Sequence, residues 1–318
     1  MHPGERRDKR ALSFAPVELG DYDRVYAYTS RFGEDSCQYS PVSMYSLEEK
    51  YGDAIFIEDG VFYTLRRNLC DETYRVYLAP LASGKEKLRE GFLRVFSDAE
   101  AYGKKVRFLS LTEKQAAFLE AGFPGRFEIR EDRDLAEYLY RTEDMSAFAG
   151  GALKKRRREV SFFWRRYGDR ASCTVIGPRD LADILSFEKE WLRQNSETHD
   201  AETLEREARM IERQLAHFDA LHLSGVVLRI DGALRGFGYG TKLSEDCYDA
   251  IVEKGDRAAP HIYKVLRQEA TKQCALDCCA VNLEEDLGLS GLRAIKLEYR
   301  PALLLRKFIA EEKQGQTD

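Results

Sequence analysis

A mixed α/β or α+β protein of two domains is what this sequence predicts, on three observations. Short apolar runs of strand length alternate with amphipathic stretches of helical length. An Asp-Gly dipeptide separates two apolar runs in each half, at Asp59-Gly60 and Asp231-Gly232. The chain has 318 residues, 43% of them hydrophobic, which is long for one core and sufficient for two. Strands mixed with helices call for layers of helix on sheet rather than a bundle.

In order, a polar start gives way to a helix near Tyr22 to Ser30 and strands at Ala54 to Glu58 and Val61 to Leu65. Asp59-Gly60 between those strands is a short hairpin signal, because both turn positions need a left-handed backbone. Arg75 to Leu78 reads as a strand, Lys85 to Tyr102 as an amphipathic helix, Val106 to Leu109 and Phe127 to Ile129 as strands. The acidic stretch Glu131 to Asp134 closes the first half. The second half opens on a long helix, Ser146 to Tyr167, with Phe148, Ala152, Val160, Phe163 and Tyr167 near helical spacing. A strand at Cys173 to Ile176 and helices at Leu181 to Asn195 and Glu202 to Asp219 follow. Leu223 to Ile230 and Ala233 to Leu243 flank the second Asp-Gly turn. Cys247 to Glu253 is a further strand, Pro260 to Gln273 a helix with proline in its first turn, and Leu276 to Val281 the next strand. The expected division is residues 1–140 and 141–318.

No run approaches the roughly 18 apolar residues of a membrane helix, and Met1 to Arg10 lacks the apolar stretch of a signal peptide, so a cytoplasmic, soluble protein is expected. Seven scattered cysteines do not form a disulfide framework, and reduced thiols are expected. Cys274, Cys278 and Cys279 lack the fourth ligand of a closed zinc site, so no metal is assigned, and Cys278 and Cys279 read as small apolar packing residues. The formal net charge of −5 gives no general nucleic-acid surface. Locally, Lys154, Lys155, Arg156, Arg157, Arg158, Arg165, Arg166 and Arg170 are opposed only by Glu159 and Asp169, a stretch that attracts anions or forms a solvated or salt-bridged face.

The segment from Val252 to Pro301 is densest in chemistry. Glu253-Lys254-Gly255-Asp256 ends one apolar strand; Asn282, Glu284, Glu285, Asp286 and Gly288 follow the next, with Gly291, Arg293, Lys296, Tyr299 and Pro301 beyond. Loops past the carboxyl ends of strands are where open α/β layers bind ligands, and the helix after Asp256 offers free N–H groups to phosphate. Three acids in a row could hold a cation, recognise an amino group, cap a helix or face solvent. Glycine-rich phosphate loops and the Gly-x-Ser-x-Gly elbow are absent, and His199, His217, His222 and His261 form no triad order.

This spacing, with the basic run at Lys155 to Arg157, resembles a bacterial family related to the C-terminal catalytic domain of phosphatidylglycerol lysyltransferase, and more distantly Fem-type peptidyltransferases. The resemblance implies two N-acetyltransferase-like (GNAT) domains in tandem with mixed central sheets, the site lying in the second, and acyl or aminoacyl transfer as the activity. It implies aminoacyl-tRNA as donor and a small-molecule amine or hydroxyl as acceptor. Acyl-coenzyme A is the alternative donor and the one cofactor considered, disfavoured because Lys254 to Ala259 departs from the usual Arg/Gln-x-x-Gly-x-Gly/Ala pyrophosphate loop. A non-catalytic RNA- or ligand-binding module is the alternative outside enzymes. Transfer to an amine needs a proton acceptor and a leaving-group donor, expected to be Glu253 and Tyr299. Asp256, Asn282, Glu284, Glu285, Asp286 and Lys296 are expected to bind substrate, a cationic one by charge complementarity. Lys154, Lys155, Arg156, Arg157 and Arg257 are expected to bind phosphate or tRNA.

Overall fold

The computed structural model describes residues 11–195 and 201–314; Met1 to Arg10 and His199 lie outside them. Along the chain run β1 (Ala15–Pro16), α1 (Tyr22–Phe32), α2 (Pro41–Ser46), α3 (Glu48–Tyr51), β2 (Asp53–Glu58), β3 (Val61–Arg66), β4 (Tyr74–Tyr77), β5 (Leu81–Ala82), α4 (Lys85–Ala101), β6 (Lys105–Thr112), α5 (Glu113–Gly122) and β7 (Phe127–Glu131). Then come β8 (Glu137–Arg141), α6 (Thr142–Ala147), α7 (Lys154–Tyr167), β9 (Ala171–Val175), α8 (Asp180–Asn195), α9 (Ala201–Leu215), β10 (Ser224–Ile230) and β11 (Ala233–Lys242). The last elements are β12 (Cys247–Gly255), α10 (Ile262–Cys274), β13 (Ala280–Glu285), α11 (Ser290–Glu298), β14 (Leu303–Leu305) and β15 (Lys307–Glu312).

Two compact units result. Of the described residues, the first comprises 11–34, 38–136 and 305–314, the second 35–37, 137–195 and 201–304. Whereas the sequence was divided at one boundary, β15 lies in the first sheet, whose order is β1-β2-β3-β4-β6-β15-β7 with β5 beside β3. Its pairing with both β6 and β7 explains this, since either strand alone would be left with an open edge. Phe92, Phe96, Phe108, Phe123 and Phe127 fill the first core, with the Phe96 and Phe123 rings edge-on at 4.8 Å. Such pairs add about 0.5–1.5 kcal/mol to the burial of their area.

The second sheet has the order β14-β8-β13-β12-β11-β10-β9. Tyr138, Tyr140, Val226, Leu228, Ile230, Val281 and Leu283 pack with residues of α6, α7 and α10, while Phe187 of α8 meets Phe237 of β11 edge-on at 5.9 Å. Both Asp-Gly turns form as expected, with φ of 50° and 78° at Asp59 and Gly60 and 53° and 79° at Asp231 and Gly232. Those values match the paired left-handed positions of a type I′ turn.

Three expectations need correction. The helix expected from Ser146 to Tyr167 is two helices, broken where Phe148 and Gly150 adopt φ of 45° and 73°. Arg157 holds the break by donating from Nη1 to the Phe148 and Gly150 carbonyls. The strand expected at Leu276 to Val281 instead begins at Ala280 and ends at Glu285, so Glu284 and Glu285 are strand residues; Leu276, 64% exposed, lies in the preceding turn. Cys279 is exposed rather than packed, and all seven cysteines are free.

Candidate functional site

The second sheet opens where the parallel pairing of β12 with β13 stops. β12 and β13 are paired only at Cys247 with Ala280, Tyr248 with Val281 and Asp249 with Asn282. Beyond that point β12 continues against β11 and β13 against β8, so the two strands part. Gly240 sets the near side: a Cβ there would lie 1.7 Å from the Asp249 carbonyl, so only glycine lets β11 pass this closely.

On one flank of the opening Glu253 meets α10. Arg267 donates to its carboxylate from Nε at 3.2 Å and Nη2 at 2.9 Å, and the pair is 19% and 15% exposed. Burial pushes the Glu253 carboxyl above its ordinary pKa, with Arg267 opposing the shift. The third terminal group, Arg267 Nη1, is buried without a hydrogen-bond partner. Arg267 lies 4.6 Å above the Tyr299 ring, and Tyr299 is 1% exposed in the aromatic core beside Tyr140 and Phe148. Burial raises the Tyr299 pKa, so its hydroxyl stays protonated near neutrality.

At the mouth stands Lys296. Its Nζ donates to the main-chain carbonyls of Leu283 and Glu285, just past the last β12–β13 pair, and burial lowers its pKa. On the other flank, Glu137 of β8 accepts from Ser36 Oγ at 2.8 Å, the Cys37 N–H at 2.9 Å and Asn282 Nδ2 at 2.6 Å. Asp249, fully buried, has both carboxylate oxygens without a partner, and burial together with Glu284, Glu137 and Glu285 pushes its pKa far up. Asp286, despite its burial, is held well below the usual carboxylate range by Arg293, at 2.8 and 2.7 Å, by the Tyr138 hydroxyl and by the Gly288 N–H.

The expected site residues therefore divide. Glu253, Tyr299, Asn282, Glu284, Glu285 and Lys296 gather around the opening. Asp286 closes the turn after β13. Asp256 instead pairs with Arg235 at 3.2 Å and accepts from the Ala258 N–H, in a separate pocket of about 830 Å³ also lined by Arg257 and Trp191. Of the basic run, Arg156 is buried against Glu159 and Glu298 at 2.9 and 3.1 Å, and Arg157 is spent on main-chain carbonyls. Lys154 and Lys155 are exposed, with Arg158, Arg165 and Arg166 on the same helix. Arg267, Asp249, Glu137 and Cys37 were missed. An acid inside the apolar run Cys247 to Val252 was the available signal for Asp249; nothing local marks the others.

The family described as phosphatidylglycerol lysyltransferase, C-terminal, matches residues 32–311. The chain belongs to that family. A protein of unknown function from Bacteroides thetaiotaomicron is 27% identical with a TM-score of 0.88, over 95% of this chain and 100% of that one. L-PGS of Bacillus licheniformis is 14% identical with a TM-score of 0.62, over 99% and 95% of the two chains, a likeness of fold. FemX supports the GNAT-like fold alone, at 8% identity and a TM-score of 0.50 over 95% and 98%. A curated relative, an uncharacterized protein of Mycoplasmoides gallisepticum, is 20% identical over 176 residues, 55% of each chain, so the match spans about half the length of that relative. No helix among the described residues is long and apolar enough to cross a membrane.

Proposed function

We propose that the second unit of this lysyltransferase-family protein transfers an aminoacyl group from aminoacyl-tRNA to an amine or hydroxyl acceptor at the opening between β12 and β13. The observation that carries the reading is the buried, unpartnered Nη1 of Arg267 beside the Glu253 carboxylate. A base and a charged N–H donor side by side are what acyl transfer needs.

In the reaction, the acceptor's nitrogen or oxygen attacks the ester carbonyl while Glu253 takes its proton. Arg267 Nη1 donates to the oxyanion that forms. The ester C–O bond then breaks, and Glu253 returns the proton to the departing ribose oxygen, so a single proton passes from acceptor to leaving group. Glu253 retains lone pairs for this, since Arg267 uses two of about four. Tyr299 is then a positioning residue, holding the guanidinium over its ring, rather than the leaving-group donor. Glu284, half-buried at the end of β13, supplies negative charge toward a cationic aminoacyl group. Lys154, Lys155, Arg158, Arg165 and Arg166 meet tRNA phosphates.

Coenzyme A is disfavoured as donor. Lys296 already occupies β13 carbonyls at the opening, and the loop after β12 is cross-tied by Asp256 rather than open to a pyrophosphate.

The test is release of labelled amino acid from a mixed aminoacyl-tRNA pool onto added amines and alcohols. Transfer that falls at least ~100-fold in Arg267→Lys, with tRNA binding intact, is expected. Turnover of acyl-coenzyme A with no response to charged tRNA would move the assignment to the alternative donor.

A further inference from the structure

Glu137 and Glu285 are directly opposed across the β8–β13 ladder, two like charges where a sheet ordinarily avoids them. A register shift between Asn282 and Glu285 produces this opposition, with Glu284 at a φ of 56° in the strand. Bulges of this kind re-aim side chains and are enriched beside functional sites. Cys37 completes the group: one ligand atom each from Cys37, Glu137 and Glu285 lies within 4.8 Å of the other two.

Clusters of acids are common and prove nothing alone; Asp249 supplies the second observation. It is 0% exposed, sits opposite Asn282 in the adjoining strand, and neither of its carboxylate oxygens has a hydrogen-bond partner. A buried carboxylate without a donor is costly unless something else meets it. Lys296, an ammonium at the opening, gives its bonds to main-chain carbonyls instead.

We propose that Cys37, Glu137 and Glu285, with Asp249 beside them, form a binding site for a divalent transition-metal ion of the zinc class. A thiol among carboxylates selects such an ion over magnesium or calcium, which prefer oxygen alone. Tetrahedral zinc separates its ligand atoms by roughly 3.5 Å, so the observed cluster needs only a small contraction. Ser36 Oγ, the Cys37 N–H and Asn282 Nδ2 already orient the Glu137 carboxylate, which is the part played by outer-shell donors in metal sites. Binding replaces the Cys37 thiol proton with a metal–sulfur bond and releases that proton to solvent. The site stands whether or not the transfer reaction does, because it is read from binding alone.

The experiment uses the full chain stripped with a chelator and titrated with zinc chloride, read by bound metal per chain, melting temperature and X-ray absorption at the zinc edge. One zinc per chain, a concentration-dependent rise in melting temperature and a first shell of one sulfur with oxygens are expected. Asn282→Ala should weaken binding by about 10–100-fold, and Glu285→Gln should weaken it further. Cys279→Ser, which alters an exposed thiol elsewhere, should leave binding unchanged. Loss of binding in Cys279→Ser but not in Glu285→Gln overturns the site. So does the absence of bound zinc, or stabilisation by lysinamide in its place. If Cys37→Ser fails to fold, Glu285→Gln at the partly exposed rim keeps the proposal testable.

Discussion

Arg267 grips Glu253 with two hydrogen bonds, at 3.2 and 2.9 Å, while its remaining terminal nitrogen is buried and unpaired. Removing one partner strands the other, and breaking such a buried pair costs roughly 3–5 kcal/mol. Arg267→Met is therefore expected to lower the unfolding free energy by about that much in urea titrations. The double variant Glu253→Gln/Arg267→Met should be less damaging than the two single losses summed. Simple additivity would show that the two side chains do not act as a pair.

Asp53 in the first unit should make stability fall as pH rises through the weakly acidic range. Burial raises its carboxyl from 3.8 to about 6, and the nearby Arg66 only partly opposes this because its Nε stands 3.4 Å away with neither that atom nor Asp53 Oδ1 hydrogen-bonded. A raised carboxyl holds its proton in the folded state after the unfolded state has lost it. Stability is thus highest below pH 3.8 for this group and is lost between 3.8 and about 6, by about 3 kcal/mol. Comparison of wild type with Asp53→Asn by circular dichroism across that window should show a steeper fall in wild type, and parallel pH profiles would remove Asp53 as its source.

Asp286 acts in the opposite direction. Its folded pKa is depressed below 3.8, so its contribution is present above pH 3.8 and is lost as pH falls. Asp286→Asn should cost about 2 kcal/mol at pH 7, through the charged hydrogen bonds to Arg293, and much less near pH 1. An equal deficit at both pH values would mean that packing, rather than charge, is what the substitution disturbs.

Two glycines should respond very differently to alanine. Gly240→Ala would drive a Cβ to 1.7 Å from the Asp249 carbonyl and is expected to cost 3 kcal/mol or more, roughly, or to prevent soluble expression. Gly60, at a φ of 78° with nothing within 4 Å of the added carbon, should lose only about 1 kcal/mol. Equal melting temperatures for the two variants would contradict the crowding at Gly240.

Much of the fold was legible because it rests on local rules. The Asp-Gly turns are read from two residues whose left-handed backbone admits little else, and α4 and α10 from apolar periodicity and their flanks. The residues of the opening were legible in part, because Glu253, Asn282, Glu284 and Glu285 are polar side chains that close apolar runs, and Lys296 lies in the polar segment beyond them. β8 and β15 were not legible. Each is short, and each is a strand only because a neighbour far away in sequence offers an edge to pair with. The break after Ala147 was hidden for a related reason: Phe148 fits the apolar period of a helix, and only the left-handed backbone there reveals the turn.

The sequence by itself determined that this is a two-core α/β protein of the lysyltransferase family with a polar segment after its last long strands, since composition, turn chemistry and motif spacing are properties of neighbouring residues. Tertiary structure alone decided which charges remain available for chemistry. Arg156, Arg157 and Asp256 read as ligand-binding groups until the fold supplied their partners, whereas Asp249 and Arg267 read as ordinary strand and helix residues until burial left polar atoms of each without one. Charge pairing depends on distances between segments that sequence order does not encode, and desolvation depends on what covers a group, so both are settled only when the sheets close.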